Sequence, residues 1–187
     1  MKHGNQFEAD RFEQAGESDK LTRELLHELW DIHNLCSCED LHPSFREDKT
    51  LHEIMDYSGI DYLIDTFDAP AFGINHRVHT STESELRFDL RSATGSQSPS
   101  ELDKLRESLS QFNIQPKFAC RLKQSASGYE WFRVVKLKPL IQAIEAGLQP
   151  HDEWRNSDGT GAWLFEYDLL KKMGVVHAQK VDTGEMI

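Results

Sequence analysis

The first third of the chain has the apolar spacing of amphipathic helices. Residues 4–15 are predicted to form a short helix. Over 19–34, five apolar residues recur on one stripe that can pack against a core: Leu21, Leu25, Leu26, Leu29 and Ile32. We expect a loop over 35–45 and a third helix over 46–57.

Further along, the pattern changes to that of β-strands. Short runs rich in β-branched residues predict three strands, over 60–64, 71–79 and 86–91. A loop rich in Ser, Gly and Pro follows over 92–100. The next helix begins at Ser100, whose spacing to Asp103 matches a capping box. Two further strands, over 116–123 and 129–137, are joined by a polar turn and predict a hairpin.

The C-terminal part predicts, in order, a helix over 139–145, a loop over 149–161, a strand over 162–167, a helix over 168–173 and a dozen weakly ordered residues. Helices followed by strands with interspersed helices indicate a mixed α/β fold class, with a central, mostly mixed β-sheet flanked by helices. We expect one compact domain overall, built from an N-terminal helical segment over 1–45 and an α/β unit over 46–187.

The composition fits a protein with a buried core and no membrane span. Hydrophobic residues make up 38% of the 187 residues, and no apolar run approaches the roughly 18–20 residues that a spanning helix needs. The N-terminus has no apolar run of the kind that secretion signals carry. Three cysteines leave at least one unpaired and favour a reducing compartment. We therefore predict a cytoplasmic protein.

The net charge of −11 argues against a general nucleic-acid binder. The charge is unevenly distributed, however. Residues 1–60 carry a net −8, whereas residues 61–148 have equal numbers of acids and bases. A strip over 117–138 is basic and could face nucleic acid: Lys117, Arg121, Lys123, Arg133, Lys136 and Lys138. The alternative is that these residues form an ordinary solvated face of a strand pair.

The candidate chemistry lies in the stretch DYSGIDYLIDTFDAPAFGINHRVH, residues 56–79. Asp61 comes at the start of one predicted strand, and Asn75 and Arg77 lie two apart on the next, sharing a face. If the strands pair, Asp61 and Asn75 can reach one cation, with Arg77 beside it. Mg²⁺ and Mn²⁺ take oxygen ligands from carboxylates, water and phosphate, and activate water for phosphodiester hydrolysis.

The order of elements and the spacing of these residues resemble the PD-(D/E)XK, or restriction-endonuclease-like, nuclease superfamily over about 46–137. The resemblance implies a restriction-endonuclease-like core and a nuclease acting on DNA or RNA with Mg or Mn, in which Asp61 and Asn75 bind the metal. Arg77 takes the place of the lysine that positions or activates water. Nucleic acid would contact Lys104 of the following helix and the basic strip, in particular Lys117, Arg121 and Lys123. The resemblance also implies a component of a phage or defence system.

Two of the matched residues differ from the pattern of that superfamily. Asn75 is shorter than Gln and uncharged, which weakens metal binding. Arg77 stays protonated and cannot act as a base, although its guanidinium can hold a phosphate. The alternative to a working nuclease is therefore a catalytically inactive relative, acting as an interaction or nucleic-acid-positioning subunit. A third, weaker alternative is an acidic inhibitor that mimics nucleic acid.

Three further features suggest partners or ligands. The acidic N-terminal segment favours a protein partner or self-association. Cys36 and Cys38, with His33 and His42 nearby, have the ligand types of a structural zinc site, although the Cys-x-Cys spacing is atypical. Trp154 and Trp163 could stack on bases. For both tryptophans, packing in the core is the favoured interpretation.

Overall fold

The structure is a computed structural model that describes residues 4–41, 50–79, 87–95, 98–111, 116–125 and 128–180. Within these ranges the helices are α1 (Gly4–Leu29), α2 (Thr50–Ser58), α3 (Glu101–Gln111), α4 (Leu137–Glu145) and α5 (Tyr167–Lys172). The strands are β1 (Ile32–Ser37), β2 (Tyr62–Thr66), β3 (Phe72–His79), β4 (Arg87–Thr94), β5 (Pro116–Ser125), β6 (Gly128–Lys136), β7 (Asp152–Arg155), β8 (Thr160–Glu166) and β9 (Val176–Lys180). No helix of the described part of the chain is long and apolar enough to cross a membrane.

Six strands form a mixed sheet in the order β1-β2-β3-β5-β6-β9. Strands β3 and β5 are parallel and pair over Gly73–Pro116 to His79–Lys123, and the other neighbours in this sheet are antiparallel. A parallel pair needs a long crossover, and this one contains β4 and α3. The crossover therefore brings residues of β4 and α3 to the end of β3 that carries the predicted site.

Strand β4 belongs to a second, three-stranded antiparallel sheet in the order β4-β8-β7. Its register pairs Phe88 with Phe165 and Leu90 with Trp163. These apolar residues alternate along β4 with Asp89 and Arg91, as the period of a strand requires. One face of this sheet therefore packs against a core, and the other carries polar side chains.

Two apolar clusters lie on opposite sides of the six-stranded sheet. Helix α1 covers one side with Leu25 and Leu26, which pack on alternate residues of the strands: Tyr62, Ile64, Phe72, Ile74, Phe118, Cys120, Leu122, Phe132 and Val134. The other side packs against α3, α4, α5 and the second sheet through Leu102, Leu105, Leu140, Ile141, Phe88 and Phe165, among others. Because central strands are buried on both faces, each polar side chain on them must find a partner inside the protein.

The predicted mixed α/β class is confirmed, but several element boundaries were wrong. One continuous helix, α1, replaces the two predicted over 4–15 and 19–34, and it ends before Ile32. Residues predicted as helix end and loop form β1 instead, because they pair with β2. Strand β7 lies within the predicted loop over 149–161. Strand β9 lies in the supposedly weakly ordered tail and pairs with β6; residues 181–187 and 46–49 lie outside the described residues.

Candidate functional site

The three predicted site residues line one open cavity of about 430 Å³, together with ten others. The cavity lies beside β3, where the chain segments around Asp56–Asp61, β4 and the start of α3 meet. Its charged lining consists of Asp56, Asp61, Arg77, Arg91, Glu101 and Lys104. Acidic and basic groups are balanced in number here, in contrast with the acidic chain as a whole.

Asp61 is held at the cavity by main-chain hydrogen bonds on both sides. Its N–H donates to Ile74 O over 2.8 Å, and its carbonyl accepts from the Cys38 N–H over 2.7 Å. Gly73 makes this packing possible, since a Cβ there would lie 2.7 Å from the Ile60 side chain. The sequence Gly59-Ile60-Asp61 thus sits tightly against β3, with the carboxyl group turned to the cavity.

The Asp61 carboxyl group has an unusual protonation equilibrium. Its Oδ2 accepts a hydrogen bond of 2.6 Å from the His76 N–H, which favours the ionised form. Burial acts in the opposite direction and is the larger effect, assisted by the negative charge of Glu101, so that the pKa of Asp61 rises to about 6. Asp61 is therefore mostly ionised at pH 7 and neutral in mild acid.

Both polar atoms of the Asn75 side-chain amide already form hydrogen bonds within the protein. Its Nδ2 donates to Gly59 O over 3.2 Å, and its Oδ1 accepts from Arg121 Nη1 over 2.8 Å. The oxygen proposed as a metal ligand therefore faces a guanidinium. Arg121 comes from β5, whose Ala119 and Arg121 pair with Asn75 and Arg77 in the parallel register.

Arg77 is also engaged, in a group of four side chains that we call the ion cluster: Arg77, Arg121, Asp89 and Glu101. Arg77 Nη2 donates to Glu101 Oε2 over 2.7 Å, and Nη1 donates to Asp89. Arg121 donates to Glu101 Oε1 over 2.6 Å and to Asp89 Oδ1 over 3.1 Å. Two guanidinium groups thus bind two carboxylates, and the cluster has no net charge.

Burial of the ion cluster sets its electrostatics. Arg121 is fully buried, and the Glu101 side chain is only 8% exposed. Burial alone would raise the pKa of Glu101, but Arg121 and Arg77 hold that pKa below its usual range. Burial and the charge of Arg121 lower the pKa of Arg77 to about 10, so it remains protonated at neutral pH.

The two histidines on β3 lie on opposite sides of the sheet. His79 Nε2 is 3.0 Å from Asp89 Oδ1, yet burial and the two arginines lower the His79 pKa to about 4. The His76 ring lies under α1, with Nε2 2.9 Å from Thr22 Oγ1, and burial lowers its pKa to about 3. Both imidazoles are therefore neutral at pH 7, and the His76 ring does not face the ion cluster.

The metal site expected at Asp61 and Asn75 does not fit these side chains. Asn75 Oδ1 is occupied by a cationic donor, and both Glu101 oxygens accept from arginines. Asp61 Oδ2 accepts from the His76 N–H, and the third carboxylate of the lining, Asp56, is paired with Lys104. Among the described residues, no group of three or more His, Cys, Asp or Glu side chains is placed to hold a metal ion.

The four predicted nucleic-acid contacts do not form one basic surface. Arg121 is wrong as a contact, because it is fully buried in the ion cluster. Lys123 is 11% exposed and paired with Glu130 at 2.5 Å. Lys117 is exposed beside the rings of Phe72 and Phe118. Of the four, only Lys104 lines the cavity, where its Nζ lies 3.0 Å from Asp56 Oδ1.

Cys36 and Cys38 are placed for packing. Both contact the small apolar cluster of Met55 and Ile60, and burial, with the charges of Asp56 and Asp61, raises the pKa of Cys38 to about 11. A zinc ligand must be a thiolate, which this environment disfavours. The His33 ring lies against Phe67, and His42 is outside the described residues.

The sequence interpretation missed Asp89, Glu101 and Arg91. Asp89 had a usable signal, since it alternates with buried Phe88 and Leu90 on a predicted strand. Glu101 lies in the first turn of α3, where an acid is ordinarily explained by the helix dipole. Its N-terminal neighbour Ser100 does form the predicted capping box, with Ser100 Oγ and Asp103 exchanging hydrogen bonds.

The cavity thus joins one ionisable carboxyl group, Asp61, to a neutral ion cluster that holds Asn75 and Arg77 in place. Arg91 and Lys104 line the same cavity. In comparisons with protein-family models, with curated proteins and with solved structures, nothing matches this chain.

Proposed function

We propose that this protein is a nuclease-like protein that positions nucleic acid at the Asp61 cavity without hydrolysing it. The observation that carries the proposal is the state of the predicted site. Asp61, Asn75 and Arg77 line one open cavity, as a nuclease-like layout requires, but Asn75 and Arg77 are both bound to other side chains of the protein.

Releasing these two residues for chemistry would be costly. If Arg77 turned towards a substrate, Asp89 and Glu101 would share the single charge of Arg121. Breaking a buried ion pair costs about 3–5 kcal/mol, because a desolvated charge is left uncompensated. A bound phosphate could offset part of that cost, but Arg77 would still be unable to accept a proton from water.

Two other cations of the cavity, Arg91 and Lys104, can contact a phosphate at much lower cost. The Arg91 side chain is exposed at the cavity, and its guanidinium has no acidic partner among the described residues. Lys104 is paired with the largely exposed Asp56, and such surface pairs contribute only about 0–1 kcal/mol. A phosphodiester group at the cavity mouth can therefore be held by Arg91 and Lys104 while the ion cluster remains intact.

The second candidate function is hydrolysis with Mg or Mn, which one observation favours. Asp61 is mostly ionised at neutral pH and lines the cavity, and Mg²⁺ is commonly bound through one or two carboxylates. A metal ion held there would supply an activated water and neutralise charge on the phosphate. The other carboxylates that line the cavity already have cationic partners, since Glu101 is bound by two arginines and Asp56 is paired with Lys104.

One pair of assays separates the two functions. Cleavage of plasmid and single-stranded DNA and RNA is measured with Mn²⁺ or Mg²⁺, and binding of labelled oligonucleotides is measured in EDTA. We expect binding in EDTA and no cleavage above that of Asp61→Ala. As a matched control, Asp68→Ala removes an exposed acid after β2 that does not line the cavity. Cleavage that Asp61→Ala abolishes and Asp68→Ala retains would establish the hydrolytic function instead.

A further inference from the structure

A row of three residues crosses the second sheet beside the cavity. Arg91 of β4 pairs with Ala162 of β8, and Ala162 pairs with Trp154 of β7. Directly paired residues on antiparallel strands point to the same face of a sheet. The side chains of Arg91, Ala162 and Trp154 therefore lie on one face, which carries Asp89 and is opposite to the face that carries Phe88 and Leu90.

Both ends of this row are open to solvent. Trp154 is 48% exposed, which is unusual for the largest apolar side chain, whereas Trp163 packs against the core as expected. The prediction that Trp154 is a core residue was therefore wrong. Arg91 is exposed as well. Its main-chain N–H donates to Glu101 Oε2 over 3.0 Å, and its guanidinium has no acidic partner within the described residues.

The row leads directly to the cavity. Arg91 and Thr94 of β4 both line the cavity, so β4 forms the boundary between the cavity and the sheet face. Two inter-strand spacings of about 4.8 Å place Trp154 roughly 10 Å from Arg91 at the backbone. The intervening Ala162 is 5% exposed, and its small side chain leaves Arg91 and Trp154 as the two long side chains of the row.

We propose that this row binds single-stranded nucleic acid, with a backbone phosphate on Arg91 and an unpaired base stacked on Trp154. An arginine fork matches a phosphate group, and aromatic rings beside a cation are the recurring arrangement of single-strand sites. The strand would continue from Arg91 into the Asp61 cavity. This inference rests on the proposed nucleic-acid function and specifies the form of nucleic acid it takes.

The pairing of the neighbouring arginines with acids favours a single strand over a duplex as the ligand of this row. A base in a duplex is stacked and paired and cannot lie on an exposed indole ring. Duplex binding without base contacts depends on many phosphate contacts, but the nearby Arg87 and Arg155 are paired with acids. A site with an exposed tryptophan and an arginine that has no acidic partner in the described part of the chain suits a single strand, whose base stacking adds to a small number of phosphate contacts.

The test uses a fluorescein-labelled 12-nucleotide thymidine strand, measured by anisotropy in EDTA over a range of salt concentrations. Trp154→Ala should weaken binding by about tenfold and leave the salt dependence unchanged. Arg91→Gln should weaken binding and reduce the salt slope by about 0.7, the value for one phosphate contact of a single strand. Arg155→Gln is the control, since Arg155 is adjacent to Trp154 but lies on the opposite face, paired with Glu153; it should bind like the wild type.

The outcomes distinguish this inference from the proposed function. If Trp154→Ala and Arg91→Gln bind the strand like the wild type, the row is not the binding site, even where the cavity binds nucleic acid. Preference for a blunt duplex over the single strand would also overturn the inference. If the wild type binds neither, both proposals fail. The binding measurements on the variants of the row do not depend on hydrolysis, because all of them are made without divalent metal.

Discussion

Arg121 provides the sharpest test of the ion cluster, because it was expected on a surface and lies fully buried. Its guanidinium donates to Asn75 Oδ1 over 2.8 Å, to Glu101 Oε1 over 2.6 Å and to Asp89 Oδ1 over 3.1 Å. The substitution Arg121→Met keeps a long side chain in the sheet but removes the charge and all of these donors. Two buried carboxylates are then left with Arg77 as their shared counter-ion.

The expected loss follows from this geometry. Removing one partner of a buried ion pair costs about 3–5 kcal/mol. Two carboxylates and one amide oxygen lose a partner here, which would raise the cost, whereas Arg77 continues to bind both carboxylates, which limits it. We therefore expect a loss of about 3–5 kcal/mol, a large share of the roughly 5–15 kcal/mol that stabilises a typical domain. For a chain of this size that corresponds to a fall in Tm of roughly 6–20 °C.

The loss should depend on pH in a definite direction. The pKa of Glu101 in the folded protein lies below its usual range, so its ionised form contributes stability above its unfolded pKa of about 4.3, and that contribution disappears as the pH falls through the folded value. The difference between wild type and Arg121→Met should therefore be largest near pH 7 and shrink below about pH 4. Adding Glu101→Gln to the variant should recover part of the loss at pH 7, because it removes one uncompensated charge.

Urea unfolding at pH 7, followed by circular dichroism, measures the loss, with thermal unfolding as a second readout. The control is Arg155→Met, which breaks an exposed pair with Glu153 and should change stability by less than about 1 kcal/mol. If Arg121→Met costs no more than this control, the ion cluster does not hold the sheet and the crossover together. A loss that is independent of pH would indicate that packing, and not charge, is responsible.

Three other changes have definite expectations. Asp61→Asn should raise the unfolding free energy by about 1–3 kcal/mol at pH 8, because burial raises the Asp61 pKa to about 6 and ionisation of Asp61 therefore opposes folding. This gain in stability should vanish below about pH 4, where the carboxyl group is neutral in both states. A gain that persists below pH 4 would show that ionisation of Asp61 is not its cause. Leu26→Ala should lower the unfolding free energy, measured in urea, by about 2–5 kcal/mol, because Leu26 is fully buried between α1 and the six-stranded sheet. Its control, Glu24→Ala on the exposed side of α1, should lower it by about 0.5 kcal/mol or less. Cys36→Ser and Cys38→Ser should leave the metal content of the purified protein unchanged, since both thiols pack on Met55 and Ile60; loss of a stoichiometric zinc ion from either variant would contradict that placement.

The neighbourhood of Asp61, Asn75 and Arg77 was predictable because it depends on short-range rules. Two strands joined by a short turn pair with each other, and a period of two places alternate residues on one face. Tyr62 indeed pairs with Ile74 in an antiparallel register, and the three polar residues line one cavity. Local pattern was sufficient for this part of the site.

The partners of these residues depend on long-range pairing that local pattern does not contain. Arg121 lies 46 positions beyond Asn75 and reaches it only because β3 and β5 are parallel neighbours. Charges counted along the chain cannot show that a strand is central and buried on both faces, so Arg121 appeared to belong to a basic strip. The edge strands β1 and β9 were missed for a related reason, since their mixed polar sequences become strands by pairing with β2 and β6.

The ion cluster accounts for the proposed loss of hydrolysis at the nuclease-like site. A cation two residues after a polar side chain on β3 serves catalysis only if it is free to contact the substrate. Here the crossover brings Asp89 and Glu101 to Arg77, and β5 brings a second arginine to the same carboxylates and to Asn75. Each of these bonds satisfies a buried group that would otherwise be destabilising, so the folded state itself opposes release of the two residues. In the proposed function, nucleic acid is therefore held by groups outside the cluster, and we propose that Arg91, on the same face of β4 as Asp89, connects the cavity to the exposed Trp154.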